Sequence, residues 1–325
     1  MSATWRIGTR GSALALWQAN TVKARLEALG VAPCEIVVIK TDGDRLQDAP
    51  LSDIGGKRLF VKEIEDALLD GEIDLAVHSA KDMAVTLPAG LHIAGVLPRA
   101  DARDAVVLPE TGGLVDASLT QLLEALGGRP RIGTSSVRRI TQLHRQLPGA
   151  EFLPVRGNVD TRLRKLDAGE YDALVLAAAG LQRLERGARI SGCLPVDACI
   201  PAPGQGIVAV ECREDSGEVT QTLVAMSNAA ADIALRVERA IVAALGGGCQ
   251  LPLGAHCRAT GDGALELIAC VTSIESDHEV RAIGFGDSSD PEGLGEQVAE
   301  RLLADGAGSI LDAVREYDGP LPGHD

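Results

Sequence analysis

The sequence predicts an α/β protein of three domains, the third a smaller α+β domain. Three observations predict it. Strand-like and helix-like segments alternate from the N-terminus, the pattern that builds sheets flanked by helices. A chain of 325 residues exceeds what one core usually serves and divides into two or three. In the last hundred residues the alternation stops, and two adjacent strand-like runs precede a helix.

The elements follow in order. "WRIGT" reads as a strand, and "SALALWQANTVKARLEALG" as a helix with Ser12 as N-cap and Gly30 as stop. "EIVVIK" is a strand. "KRLFVKEIEDALLDG" is a helix with Phe60, Ile64, Ala67 and Leu68 on one face. "DLAVHS" and "HIAGVLP" are strands, and the sheet is expected to be largely parallel. Pro98–Arg103 reads as a linker. Beyond it "DAVVL", "RIGTS", "EFLPVR" and "DALVLA" are strands, with helices starting near Ser118, Ser135, Asn158 and Ala177. "CIPAPGQGIVAVECR" brings a Pro/Gly-rich turn and a strong strand. A helix over 232–245, strands "ALELIACVTS" and "EVRAIGFG", and the helix "PEGLGEQVAERLLADG" complete the chain. The expected domains are 1–101 with 203–226 returning to it, 104–200, and 229–325.

Composition excludes several functions. Aromatic residues make up 2% of the chain, too few for the stacking platforms of single-strand nucleic-acid binders. A net charge of −15 disfavours a nucleic acid or an acidic membrane as partner. Seven cysteines without CxxC spacing suggest reduced thiols and a cytoplasmic location. No apolar run approaches the roughly 20 residues of a membrane span.

One region opposes the overall charge. From Arg129 to Lys165 there are nine Lys/Arg and two acids, a local balance of +7. "RIGTSSVRR" is strand, turn, helix start: Thr134, Ser135 and Ser136 offer hydroxyls and backbone N–H groups at a helix N-terminus, an anion site to which Arg138 and Arg139 add charge. "VRGNVDTRLRKL" repeats the arrangement with Arg156, Gly157 and Arg162. Such loops at the C-terminal ends of parallel strands share one crevice. A ligand bearing several carboxylates or phosphates is implied, and the planar fork of arginine suits carboxylates. No GxxxxGK[ST] or GxGxxG motif occurs, which disfavours nucleotides.

"AVHSAKDMAVTLP" places His78, Ser79, Lys81 and Asp82 at a strand end. A carboxylate among arginines is out of place as an anion binder; Asp82 would stabilise a cation or move a proton. "LGGGCQLPLGAHC" runs three glycines into Cys249. Read alone, this is either a helix stop or a thiol with room for a bulky attachment. His256, Cys257 and Cys249 lack zinc-ligand spacing, and no metal site is expected. A solute-binding protein for a polyanion would explain two α/β domains and a basic cleft, and a hydrolase would need a histidine base beside Cys249.

Seven segments in order resemble the porphobilinogen deaminase (hydroxymethylbilane synthase) family of tetrapyrrole and heme biosynthesis: "IGTRGSALALWQA", "IGGKRLFVKEIE", "LAVHSAKD", "IGTSSVRR", "VRGNVDTRLRKLDAGEYDALVLAAAGL", "PAPGQG" and "GGGCQLPLGA". The resemblance implies first and second domains similar to type II periplasmic binding proteins and a third carrying the cysteine loop. It implies a transferase that deaminates four porphobilinogen molecules, extends a covalent dipyrromethane cofactor head to tail, and frees the product with water. Cys249 is implied as the thioether attachment point. Asp82 is implied as the group that stabilises the azafulvenium cation and assists proton transfer. Arg10, Ser12, Lys57, Ser79, Lys81, Thr134, Ser136, Arg138, Arg139, Arg156, Arg162, Arg183 and Gln205 are implied cofactor and substrate contacts. A cytoplasmic monomer with a small-molecule substrate is expected, without nucleic acid or membrane. Asp53 stands where relatives often carry lysine, and "KDMAV" lacks the proline that commonly follows the Lys-Asp pair.

Overall fold

The computed structural model describes residues 4–30, 33–41, 61–247, 251–261, 263–274 and 278–316. Lys57, Phe60, Asp53 and Cys249 lie outside the described residues. The chain forms two compact units, one of residues 1–100 and 206–235 and one of residues 101–205 and 236–325.

In chain order the first unit begins with β1 (Trp5–Thr9), α1 (Ala13–Ala28), β2 (Cys34–Val38), α2 (Lys62–Leu69), β3 (Leu75–Ser79) and β4 (Leu91–Val96). The second unit follows with β5 (Asp104–Val107), α3 (Leu119–Leu126), β6 (Arg131–Gly133), α4 (Val137–His144), β7 (Glu151–Leu153), α5 (Val159–Asp167), β8 (Ala173–Ala177), α6 (Ala178–Arg183) and β9 (Gly192–Cys193). The chain returns to the first unit for β10 (Val208–Arg213) and α7 (Gly217–Met226), and α8 (Ala229–Ala244) leads back to the second. β11 (Leu253–Ala259), β12 (Leu265–Thr272), β13 (Glu279–Gly286), α9 (Pro291–Ala304) and α10 (Ala307–Glu316) complete it.

The helices start where local chemistry allows. The Ser12 side chain accepts from Ala15 N, capping α1. Ser118 and Gln121 form a reciprocal capping box at α3. Asn158 accepts from Thr161 N at α5. α1 buries Gln18, Ala19, Val22 and Leu26, and the apolar three pack into a core with Trp5, Ile7, Leu75, Val77 and Val210. Burying a side chain such as Leu26 contributes about 1.5–3 kcal/mol.

The first sheet has the order β2-β1-β3-β10-β4 and the second β7-β6-β8-β5-β9. Each sheet is largely parallel, as expected, with four strands running one way and a single strand reversed. In the first, β1 pairs in parallel with β2 and β3, while β10 is antiparallel to β3 and β4. In the second, β6 pairs in parallel with β7 and β8, while β5 is antiparallel to β8 and β9. Each antiparallel strand follows directly on a crossing between the units, so its direction is set by where the chain enters. The remaining three strands form an antiparallel sheet, β11-β12-β13. Its inner face packs on α9, where Gly284 leaves room for Val298 and Leu294.

Candidate functional site

In the first unit the predicted residues of the described chain collect at the C-terminal ends of two interior strands. β1 and β3 are parallel neighbours, so their C-terminal ends lie together. Arg10 and Ser12 follow β1, while Ser79 ends β3 and a 3-10 turn over Ala80–Asp82 follows it. Ala80 N donates to Ile207 O, which anchors this turn to the segment entering β10. Gln18, buried on α1, donates to Ser79 Oγ at 2.8 Å. Lys81 and Asp82 are half-buried, and Met83 closes the turn with its N–H on Ala80 O. Ser12 has a second duty as the α1 cap.

In the second unit β6, β7 and β8 are parallel, and their C-terminal ends gather the rest. Thr134 follows β6, is buried, and accepts from Ser136 N at 3.3 Å. Ser136 is the N-cap of α4 without a side-chain capping bond. Ser135 bonds both N and O of Val155, which ties the β6 loop to the β7 loop carrying Arg156. Arg183 ends α6, directly after β8.

Arg138 and Arg139 point inward. Both are buried. Arg138 Nη2 lies 2.8 Å from Asp104 Oδ2, and Arg139 Nη2 lies 2.7 Å from Asp104 Oδ1. Gln205 Nε2 donates to the same Oδ1 at 2.9 Å and to Ala102 O. Burial drives the Asp104 carboxyl upward, but the two guanidinium groups and their hydrogen bonds outweigh it and hold the group well below the usual carboxylate range. The Cys199 thiol, 3.4 Å from Asp104 Oδ2, is pushed up to about 12, first by burial and then by that carboxylate. Sequence reasoning missed Asp104. Its signal was an acid opening an otherwise apolar strand, "DAVVL".

Arg162 differs. Its Nε donates to Gly157 O at 2.8 Å, and among the described residues no carboxylate forms an ion pair with it. Burial, then the nearby Arg139, lowers it to about 10. Gly157 holds φ +98°, and a Cβ there would meet Thr161 Cγ2 at 2.8 Å, so glycine is required where the chain turns into α5. Burial also lowers Arg183 to about 10. A cation held against desolvation favours an anion as partner.

Among the described residues, no group of three or more His, Cys, Asp or Glu could hold a metal ion, and no helix is long and apolar enough to cross a membrane.

Comparison with known proteins bears on this arrangement. Residues 5–221 match the family described as "Porphobilinogen deaminase, dipyromethane cofactor binding domain". Residues 233–304 match "Porphobilinogen deaminase, C-terminal domain". A "Porphobilinogen deaminase" of Syntrophotalea carbinolica is 43% identical over 98% of this chain and 99% of the relative. One of Geotalea daltonii is 45% identical over 96% of this chain and 95% of the relative. Among solved structures, the second substrate binding domain of a putative amino acid ABC transporter from Streptococcus pneumoniae is 15% identical, with a TM-score of 0.45, covering 69% of this chain and 91% of that one.

Proposed function

The chain belongs to the porphobilinogen deaminase family, and on that premise we propose how its residues divide the work. It is a transferase that deaminates porphobilinogen, joins four molecules head to tail on a dipyrromethane primer and releases hydroxymethylbilane by hydrolysis. The single observation that carries this function is the family match across both parts of the chain, 5–221 and 233–304.

The residues present suit the primer. Each of its two pyrrole rings carries an acetate and a propionate, and a half-buried Arg162 without an acidic partner among the described residues suits such a carboxylate. Arg156, Arg10 and Lys81, which follow strands, and Arg183, which ends α6, are assigned to the remaining carboxylates. When bound, the primer supplies the nucleophilic pyrrole carbon on which the chain grows.

Cys249 is assigned as the thioether anchor. The glycines ahead of it support this: Gly246 and Gly247 hold φ +85° and +41°, a backbone that bulkier residues avoid. Asp82 is assigned to catalysis. It holds the positive charge that develops as ammonia leaves porphobilinogen, and it carries the proton to and from the pyrrole nitrogen. Lys81, Ser79, Ser12, Lys57, Thr134 and Ser136 are assigned to binding and orienting the substrate acids. Arg138, Arg139 and Gln205 share Asp104, and their contribution is to hold the β6 and "PAPGQG" loops in place beside the ligand.

The protein acts in the cytoplasm as a monomer, with porphobilinogen rather than a nucleic acid or a membrane as partner. The six described cysteines are free, which supports a reducing compartment. The test is incubation of the purified protein with porphobilinogen while ammonia and tetrapyrrole are measured. Four ammonia per tetrapyrrole support the reading, and porphobilinogen bound without ammonia release contradicts it.

A further inference from the structure

Glu238 is a fully buried acid on α8 that the reaction does not use. Its Oε2 accepts from Gly204 N at 2.6 Å and its Oε1 from Cys257 N at 2.7 Å. His256 Nδ1 stands 3.8 Å from Oε1. Gly204 belongs to the "PAPGQG" turn, and Cys257 lies on β11. α8 precedes the segment that carries Cys249 and β11 follows it, and one carboxylate joins the two elements.

The reason lies in the sheet. β11 is an edge strand, and its outward N–H groups need partners once buried. Ala255 N finds Pro201 O at 2.9 Å, and Cys257 N finds Glu238. Gly254 passes close under the same turn, where a Cβ would lie 2.7 Å from Ile200 O. On its other side the turn is held by α4: Arg138 Nη1 donates to Ile200 O at 2.7 Å, and Gln142 Oε1 accepts from Ile200 N at 2.7 Å. A chain of hydrogen bonds therefore runs from Asp104 and Arg138 through residues 200–204 to Glu238 and β11. An apolar side chain would fill the same space at lower desolvation cost. The carboxylate instead fixes the direction of two backbone N–H groups from distant parts of the chain.

We infer that Glu238 is a positioning residue for the covalent primer, holding α8 and β11, the elements before and after the segment that carries Cys249, to each other and to Gly204. The inference rests on Cys249 being the anchor.

Glu238→Gln tests it. The amide oxygen accepts one N–H, but the amide nitrogen then faces the other. The folded variant is expected to carry the primer on at least fivefold fewer chains by intact mass. Per loaded chain, kcat should fall about tenfold with KM for porphobilinogen unchanged. Normal loading and normal kcat per loaded chain, even with a lowered Tm, would overturn the inference and leave Glu238 a residue of the fold alone. Amide exchange in the unaltered sequence provides a second reading should Glu238→Gln not fold. By reciprocity of coupling, the Gly204 and Cys257 amides should exchange at least tenfold faster in primer-free Cys249→Ser than in the loaded protein; equal rates would overturn the inference. Peptide mapping separates the premises. An adduct on another cysteine overturns the anchor assignment and this inference with it. An adduct on Cys249 beside a normal Glu238→Gln overturns this inference alone.

Discussion

Arg139 grips Asp104 twice, with Nε at 2.9 Å and Nη2 at 2.7 Å from the same oxygen, Oδ1. Arg138 takes the other oxygen. Two cations from the first turn of α4 thus converge on the fully buried first residue of β5. The positive charge that the sequence concentrates after Arg129 is therefore divided. Part of it braces the second unit from inside, while Arg162 forms no ion pair among the described residues.

Asp104→Asn should destabilise the second unit by about 3–5 kcal/mol, the usual consequence of removing one partner from a buried ion pair. The pH dependence has a definite sign. The folded carboxyl titrates below its unfolded value, so its stabilisation is complete above the ordinary carboxylate range, about pH 4. It is lost as pH falls from there toward the depressed folded value. Thermal unfolding from pH 7 to pH 2 should show the gap between parent and variant closing on the acid side. A gap independent of pH would contradict the pairing.

Arg162→Met should behave in the opposite way to Arg138→Met. Arg162 pairs with no carboxylate among the described residues, so its removal should leave stability within about 1 kcal/mol of the parent. Losing a charge-assisted contact of about 1.5–3 kcal/mol should raise KM for porphobilinogen, or lower primer loading, by about 10- to 100-fold. Arg138→Met should lower Tm first. Equal stability losses in the two variants would erase the distinction drawn between them.

Asp82→Asn keeps the shape of the turn after β3 and removes its charge. Turnover should drop about a hundredfold or more, the scale of one preorganised electrostatic group, with little change in Tm. Asp82→Glu should retain partial activity with slower elongation. Single-turnover ammonia release on primer-loaded protein is the readout; a near-normal rate in Asp82→Asn would assign the residue to the fold.

Gly254→Ala should cost about 1–3 kcal/mol through overpacking, because the new Cβ would approach Ile200 O at 2.7 Å and Ile200 Cβ at 2.8 Å. Backbone cannot yield as a side chain does. Denaturant unfolding that leaves the midpoint unchanged would mean that β11 and the "PAPGQG" turn separate more readily than the packing implies.

What was legible in the sequence was local. Ser12, Ser118 and Asn158 were readable as helix starts because a cap acts within three residues. The strand ends that carry Asp82 and Arg138 were readable from apolar runs meeting polar turns. Pairings across long separations were not. β10 inserts antiparallel between β3 and β4, and no pattern within "IVAVECR" reveals its neighbours. The pairing of Arg138 and Arg139 with Asp104 was not readable either, because Asp104, far back in the chain, carries no local sign of its partners. β11 and the helices α7 and α10 also went unread, the strand because "LGAHCRA" resembles the loop before it.

The central claim is the covalent primer on Cys249, and intact mass with peptide mapping of the purified protein tests it most directly. The account predicts a mass above that of the bare chain by two linked pyrrole units, lost in Cys249→Ser, with the adduct on the peptide containing Cys249. A bare-chain mass in a preparation that consumes porphobilinogen, or an adduct mapped to Cys212 or Cys257, would contradict it.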